Sequence, residues 1–175
     1  MAVAVSTYGG MEASLLRAQT LAWFNEEVLP RTRPGARAVL ERHRAAGSRC
    51  VLASSTSQFA AEAACAAYGL HDSVSSSLEV DAATGILTGR IAGLAFGRAK
   101  AARVRDWAVR HKVPLSRCTF YSDSIADAPL LAEVGTPVCV NPDRRLRALA
   151  AQRGWRVEDW GRSPVPVLLK RKKQA

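Results

Sequence analysis

Long apolar runs are missing from this chain. No stretch approaches the roughly 18 apolar residues that a bilayer-spanning helix needs. The first ten residues, MAVAVSTYGG, lack the basic start and extended apolar centre of a secretory leader. Both absences make a cytoplasmic location without a membrane the expectation. Cysteine is scarce: Cys50, Cys65, Cys118 and Cys139 are the only four, and no two form a CxxC pair. That spacing argues against zinc and thiol-redox motifs and for buried, reduced thiols. Zinc-finger spacing and RNP-like aromatic motifs are also absent, which argues against a nucleic-acid module. Only five lysines occur, and no aspartate precedes Asp72.

What is present suits a globular fold. The chain has 175 residues, 48% of them hydrophobic, enough for one domain with a real core. Formal net charge is +10, supplied mostly by arginine. Such charge attracts phosphate, of nucleic acid or of a small ester. The arginines are spread over several segments, as in Arg103, Arg105 and Arg110 or Arg144, Arg145 and Arg147. Lys170 to Lys173 is the one basic run, and it lies in the last six residues. Residues 163–175 are therefore expected to form a solvated basic tail, with an electrostatic anchor as the other reading.

Periodicity divides the chain into alternating elements. Residues 13–28 carry Leu15, Leu16, Leu21 and Phe24 at helical spacing, and Pro30 ends the pattern. Pro34 opens a second helix that Gly47 closes. A short strand at 50–53 runs into Ser54, Ser55 and Thr56, and an Ala-rich helix follows to Gly69. SSSLEV and ILTGRIAGL flank the turn DAATG and read as a hairpin. Then come a helix at 97–112, a strand at 118–122, a helix from about Asp127 to Val134, a strand at 137–140, a helix ended by Gly154, and a short strand in WRVEDWG. This alternation predicts an α/β fold with a parallel sheet, whose ligands bind beyond the C-terminal strand ends.

Three loops at those ends share a chemistry. Hydroxyls and backbone amides after the first strand, at Ser54, suit a phosphate oxygen. A carboxylate on a neighbouring loop, Asp123, suits Mg²⁺, which takes one or two carboxylates and keeps several waters. Lys100, near a helix start and far from the basic tail, is the candidate to neutralise phosphate charge. Asp127 either orients the metal site or caps its helix, because Pro129 sits in the first turn. Asn141 follows the next strand. Plainer roles exist for each: a turn for Asp123, a polar loop position for Ser54, a solvated helix face for Lys100.

The order of these residues resembles the haloacid dehalogenase (HAD) superfamily, in particular its subfamily IB of phosphoserine-phosphatase-like hydrolases. VLASSTSQFAAEAACAAYGL is similar to the family's second motif, LEVDAATGILTGRIAGLAFGRAKAARV to the segment ending in the third-motif lysine, and FYSDSIADAPLLAEVGTPVCVNPDRRLRALAAQRGW to the fourth motif and its sequel. The resemblance implies a Rossmannoid parallel sheet flanked by helices over residues 49–162. It implies a helical cap remnant and lead-in helix over residues 1–48. It also implies a small phosphomonoester substrate and Mg²⁺. Ser54 and Lys100 would bind phosphate, Asp123 and Asp127 would hold the metal, and Asn141 would support them.

One departure weighs against activity. Family members carry DxDx[TV] near their N-terminus, whose first Asp attacks phosphorus and whose second protonates the leaving oxygen. Nothing before Asp72 matches it. The expectation is a truncated or degenerate hydrolase without its nucleophile. A non-catalytic anion- or phosphate-binding module, or a gene-model fragment without independent function, are the alternatives. Loss of the central strand that bears this motif would leave two sheet edges unpaired. Residues 1–7 could fill that slot as a strand or belong to the helical remnant, and an exposed edge would favour self-association.

Overall fold

The computed structural model describes residues 6–164. The basic run at 170–173 and the first five residues of the candidate strand at 1–7 lie outside them. Ser6 ends a helical turn and Thr7 to Gly10 continue as turns, so the described end of that segment is not a strand.

Helix α1 spans Ala13–Trp23 and passes into a wider π turn at Phe24–Val28 and a 3-10 turn at Leu29–Arg31. The single helix expected to residue 28 is therefore broken in pitch before Pro30, which has no N–H to donate. Helix α2, Pro34–Ala45, begins at a proline whose missing donor costs nothing in a first turn. Strand β1 is Val51–Ser57 and helix α3 is Gln58–Tyr68. Ser57 caps α3 by accepting from the Ala60 amide, and Gly69 closes it at φ +57°. Next come β2 (Asp72–Val80), β3 (Leu87–Gly93), α4 (Gly97–Arg110), β4 (Thr119–Ser122), α5 (Ala128–Leu131), β5 (Thr136–Val140), α6 (Arg144–Arg153) and β6 (Arg156–Glu158). The helix expected from 127 to 134 is only a 3-10 turn plus the four residues of α5.

The strands form two three-stranded sheets, ordered β1-β2-β3 and β4-β5-β6. All pairs in the second are parallel. In the first, β2 pairs parallel with β1 through Asp72–Ser76 and antiparallel with β3 through Ser77–Val80. One strand thus belongs to the layered core at its start and to the hairpin at its end. The hydroxyl segment Ser54 to Thr56, expected as a loop, is inside β1. The register with β2 shifts between Ala53 and Ser57, so these residues bulge from regular pairing.

Apolar side chains fill the layers between sheets and helices. Leu131, Cys139, Leu146 and Ala150 are fully buried together beside the second sheet. Ala13, Leu16, Phe59, Leu78 and Leu87 join α1 and α3 to the hairpin. Helix α4 packs on β1 and β2 and also on α5 and the 3-10 turn before it, so it spans both sheets. Gly135 permits a close crossing: a Cβ there would stand 1.8 Å from the Ser116 carbonyl oxygen.

At the opposite end of β2, Trp107 Nε1 donates to Asp72 Oδ2 at 2.6 Å, and His111 stacks on Trp107 with ring centroids 4.5 Å apart. Burial opposes ionisation of Asp72. The Trp107 and Ser73 donors and the charges of His111 and Arg49 outweigh it and hold the carboxyl below its ordinary value.

Leu146→Ala should lower stability by about 2–5 kcal/mol, read as an earlier urea midpoint with unchanged slope. Because the folded-state pKa of Asp72 is depressed, its contribution is complete above the ordinary aspartate pKa near 3.9 and is lost as pH falls through the lower, folded value. The stability gap between the parent chain and Asp72→Asn should therefore be constant at neutral pH and close in strong acid.

Candidate functional site

Lys100 lies in the first turn of α4 and is 5% exposed. Gly97 opens that helix at φ +54°, a conformation that costs glycine little. The Lys100 ammonium Nζ donates to Asp127 Oδ1 at 2.6 Å. Asp127 ends the 3-10 turn Ile125–Asp127 and is also buried. Its second oxygen, Oδ2, accepts from the Ser122 hydroxyl at 2.7 Å, and that hydroxyl accepts from the Ser124 amide at 3.2 Å. Asp127 does not cap α5: its side chain makes no cap hydrogen bond. The helix-cap reading is replaced by a buried ion pair. Lys100 retains two further N–H donors with no partner among the described residues.

Asp123 follows β4 and is exposed. Its backbone carbonyl accepts from the Asp143 amide at 2.9 Å. Asp143 then reaches back: Oδ2 accepts from the Ile125 amide at 2.9 Å while Oδ1 caps α6 through the Leu146 amide at 2.7 Å. The Leu146 and Ile125 amides hold its carboxyl below the usual range. Asp143 thus clamps the loop that carries both Asp123 and Asp127. The sequence signal was a helix-starting Asp after Asn-Pro; nothing in it announced the second bond.

Ser54 is half-buried, and its Oγ accepts from both the amide and the hydroxyl of Thr56, at 3.2 and 3.1 Å. Its own O–H remains free to donate. No hydrogen bond joins Ser54 directly to Lys100 or Asp127 among the described residues. An indirect chain exists through Ser76, which sequence reasoning passed over. The Ser76 hydroxyl donates to the Ser55 carbonyl at 3.2 Å and accepts from the Ala95 amide at 3.0 Å. Ala95 leads into α4 and Lys100. The end of β1 and the start of α4 are therefore tied by one buried hydroxyl.

Asn141 has φ +43° and faces the chain end of the second sheet. Its Nδ2 donates to Asp159 Oδ1 at 2.5 Å and its Oδ1 accepts from the Trp160 amide at 3.0 Å. Both side-chain atoms serve the segment after β6, not the Lys100–Asp127 cluster.

A cavity of about 650 Å³ borders the cluster on one side. Tyr121, Ser122 and Asp123 line it, together with Val28, Arg33, Tyr68 and Val140. Lys100, Asp127 and Ser54 do not line it. Among the described residues no group of three or more His, Cys, Asp and Glu side chains could hold a metal ion. Asp123 presents an exposed carboxylate to the cavity, and Asp127 stands four positions further along the chain. One or two carboxylates are what Mg²⁺ takes from a protein when phosphate and water supply the remaining oxygens.

A family model described as haloacid dehalogenase-like hydrolase matches residues 1–132. The chain belongs to that family. It is 38% identical over 138 residues to a protein of Mycobacterium tuberculosis named phosphoserine phosphatase SerB1, covering 78% of this chain and 44% of that one. It is 32% identical over 136 residues to a histidinol-phosphatase of Neisseria meningitidis, covering 75% and 61%. The chain thus spans about half the length of relatives it matches. Among solved structures, a protein of unknown function from Bordetella pertussis superposes with a TM-score of 0.83 at 29% identity, over 91% of this chain and 73% of that one. A probable phosphoserine phosphatase from Vibrio cholerae gives 0.64 at 19% identity, over 82% and 42%, a likeness of fold. No described helix is long and apolar enough to cross a membrane.

Lys100→Met leaves the Asp127 carboxylate buried without a counter-charge and should cost about 3–5 kcal/mol in urea unfolding. Lys100→Met combined with Asp127→Leu should recover most of that loss, and a double-mutant cycle reads the coupling directly.

Proposed function

We propose that this chain forms the phosphate- and cation-binding part of a Mg²⁺-dependent phosphomonoester hydrolase, and that the attacking carboxylate is not among its residues. The observation that carries this reading is the buried ammonium of Lys100. It is fixed by one carboxylate and still has two donors to give. A buried cation with spare N–H groups suits an oxyanion that can accept several charge-assisted hydrogen bonds.

In this reading Lys100 and the Ser54 hydroxyl bind phosphoryl oxygens. Asp127 aims the Lys100 side chain, and Ser122 holds Asp127 in turn. Asp123, with Asp127 behind it, would hold Mg²⁺, which supplies Lewis-acid stabilisation of the phosphoryl oxygens when bound. The substrate class is a small phosphomonoester, in keeping with the names of the relatives. Residues 1–71 contain no aspartate, so no residue there can play the family's acidic nucleophile. The chain by itself is therefore a binding half-site with very slow turnover.

With Mg²⁺ and a generic aryl phosphate, the isolated chain should show no more than trace hydrolysis. Inorganic phosphate should bind weakly, followed by phosphorus NMR line broadening, and Ser54→Ala should weaken it several-fold. Robust turnover that Asp123→Asn abolishes would overturn the claim about the nucleophile. Phosphate binding indifferent to both Ser54→Ala and Lys100→Met would overturn the site itself.

A further inference from the structure

Arg103 carries its charge into a partly buried place without a counter-charge. It lies on α4, one turn after Lys100, against the end of the β2-β3 hairpin. Its Nε is shut off from solvent and has no acceptor. No ion pair or hydrogen bond reaches its guanidinium among the described residues. We propose that Arg103, the Ser77 hydroxyl and the bare backbone of Gly93 form an anion site for a small oxyanion, the phosphate or carboxylate group of a ligand. This site stands on its own geometry and does not rest on the phosphatase reading above.

Three groups meet at one spot. Gly93 ends β3 and pairs with Ser77 of β2. A Cβ on Gly93 would collide with a terminal nitrogen of the Arg103 guanidinium and would stand 2.9 Å from Ser77 Oγ. Gly93 has no left-handed backbone, so glycine here serves space, not backbone freedom. The missing side chain is the room in which the guanidinium lies on the hairpin. The Ser77 hydroxyl beside it makes no hydrogen bond among the described residues.

The carboxylates on the surrounding elements are committed elsewhere. Asp72 accepts from Trp107, Glu79 from Arg90 and Thr88, Asp127 from Lys100, and Glu133 pairs with Arg105. Asp106, the one acid of α4, is exposed and forms no ion pair among the described residues. The same helix carries Arg98, Lys100, Arg103, Arg105 and Arg110, so its field is positive. A guanidinium is planar and weakly hydrated, and its fork matches two oxygens of a phosphate or carboxylate. The Ser77 hydroxyl supplies a third donor at the same place.

The test follows the Arg103 Nε–H by NMR in the full chain labelled with ¹⁵N-arginine. The signal is assigned by its absence in Arg103→Lys. Inorganic phosphate and acetate are titrated separately, with chloride holding ionic strength constant. The Arg103 signal should shift and saturate. Gly93→Ala should fold, because the group it displaces is the free end of a long side chain, and it should weaken binding about fivefold or more by spoiling the fork. Ser77→Ala should weaken it about threefold, the loss of one hydrogen bond. Lys100→Met with Asp127→Leu should leave it unchanged, which separates this site from any phosphate held by Lys100.

Saturation by both anions would assign the site to either group, and saturation by one alone would name the source. A shift that never saturates, or that chloride reproduces, would overturn the site and leave Arg103 as a cover for the hairpin backbone. Undiminished affinity in both Gly93→Ala and Ser77→Ala would overturn it as well. Loss of the saturating shift in the Lys100→Met and Asp127→Leu double variant would assign the anion to Lys100 and sink the proposal.

Discussion

The Lys100–Asp127 ion pair is the contact on which the arrangement depends. Lys100 belongs to a helix laid across β1 and β2, and Asp127 to the loop that follows β4. Their 2.6 Å bond is therefore a tie between two half-sheets that share no strand pairing among the described residues. Taking both charges out of water costs several kcal/mol per ion before their attraction is counted. A pair of that kind adds little net stability compared with two apolar side chains. What it contributes is position: a charged donor held at one place between the sheets.

Two small polar residues extend that tie in opposite directions. Ser76 carries it toward the bulged end of β1, and Asp143 carries it toward β5 and α6. Each satisfies groups from two different elements; for the buried Ser76 this offsets the cost of desolvation, while Asp143 makes its bonds at an exposed position. The result is a run of hydrogen bonds from Ser55 to Asp143 that crosses the molecule along the strand ends. The half-site proposed above sits on this run. Its donors are fixed by contacts within the protein, which would limit the ordering cost of taking up a phosphate.

Much of this was legible in the letters. The strand and helix alternation, the hairpin around DAATG, the Gly69 and Gly154 stops and the family itself all follow from period, turn residues and motif order. Lys100 and the Asp123–Asp127 loop were identified as candidates by the same route. Other features were not readable, for physical reasons. β1 runs through Ser54 to Thr56 because Ser57 recovers a partner in Ser76, and a pairing across 19 residues leaves no local trace. The caps at Ser57 and Asp143 show in local sequence, but the second bond of Asp143 needs a loop 18 residues away. Asp127 looked like a cap because Pro129 follows it, and tertiary contact with Lys100 won instead. Asn141 was a candidate because it follows a strand, yet its left-handed backbone turns the amide toward Asp159 and Trp160.

The divided use of β2 has a mechanical meaning. Its first half pairs with β1 in the core, its second half pairs with β3 in the hairpin, and Ser76 sits where the two pairings meet. Tilting the hairpin arm would twist the strand at that residue and pull on the Ser55 carbonyl and the Ala95 amide together. Whatever leans on the hairpin thus works as a lever on the mouth of α4.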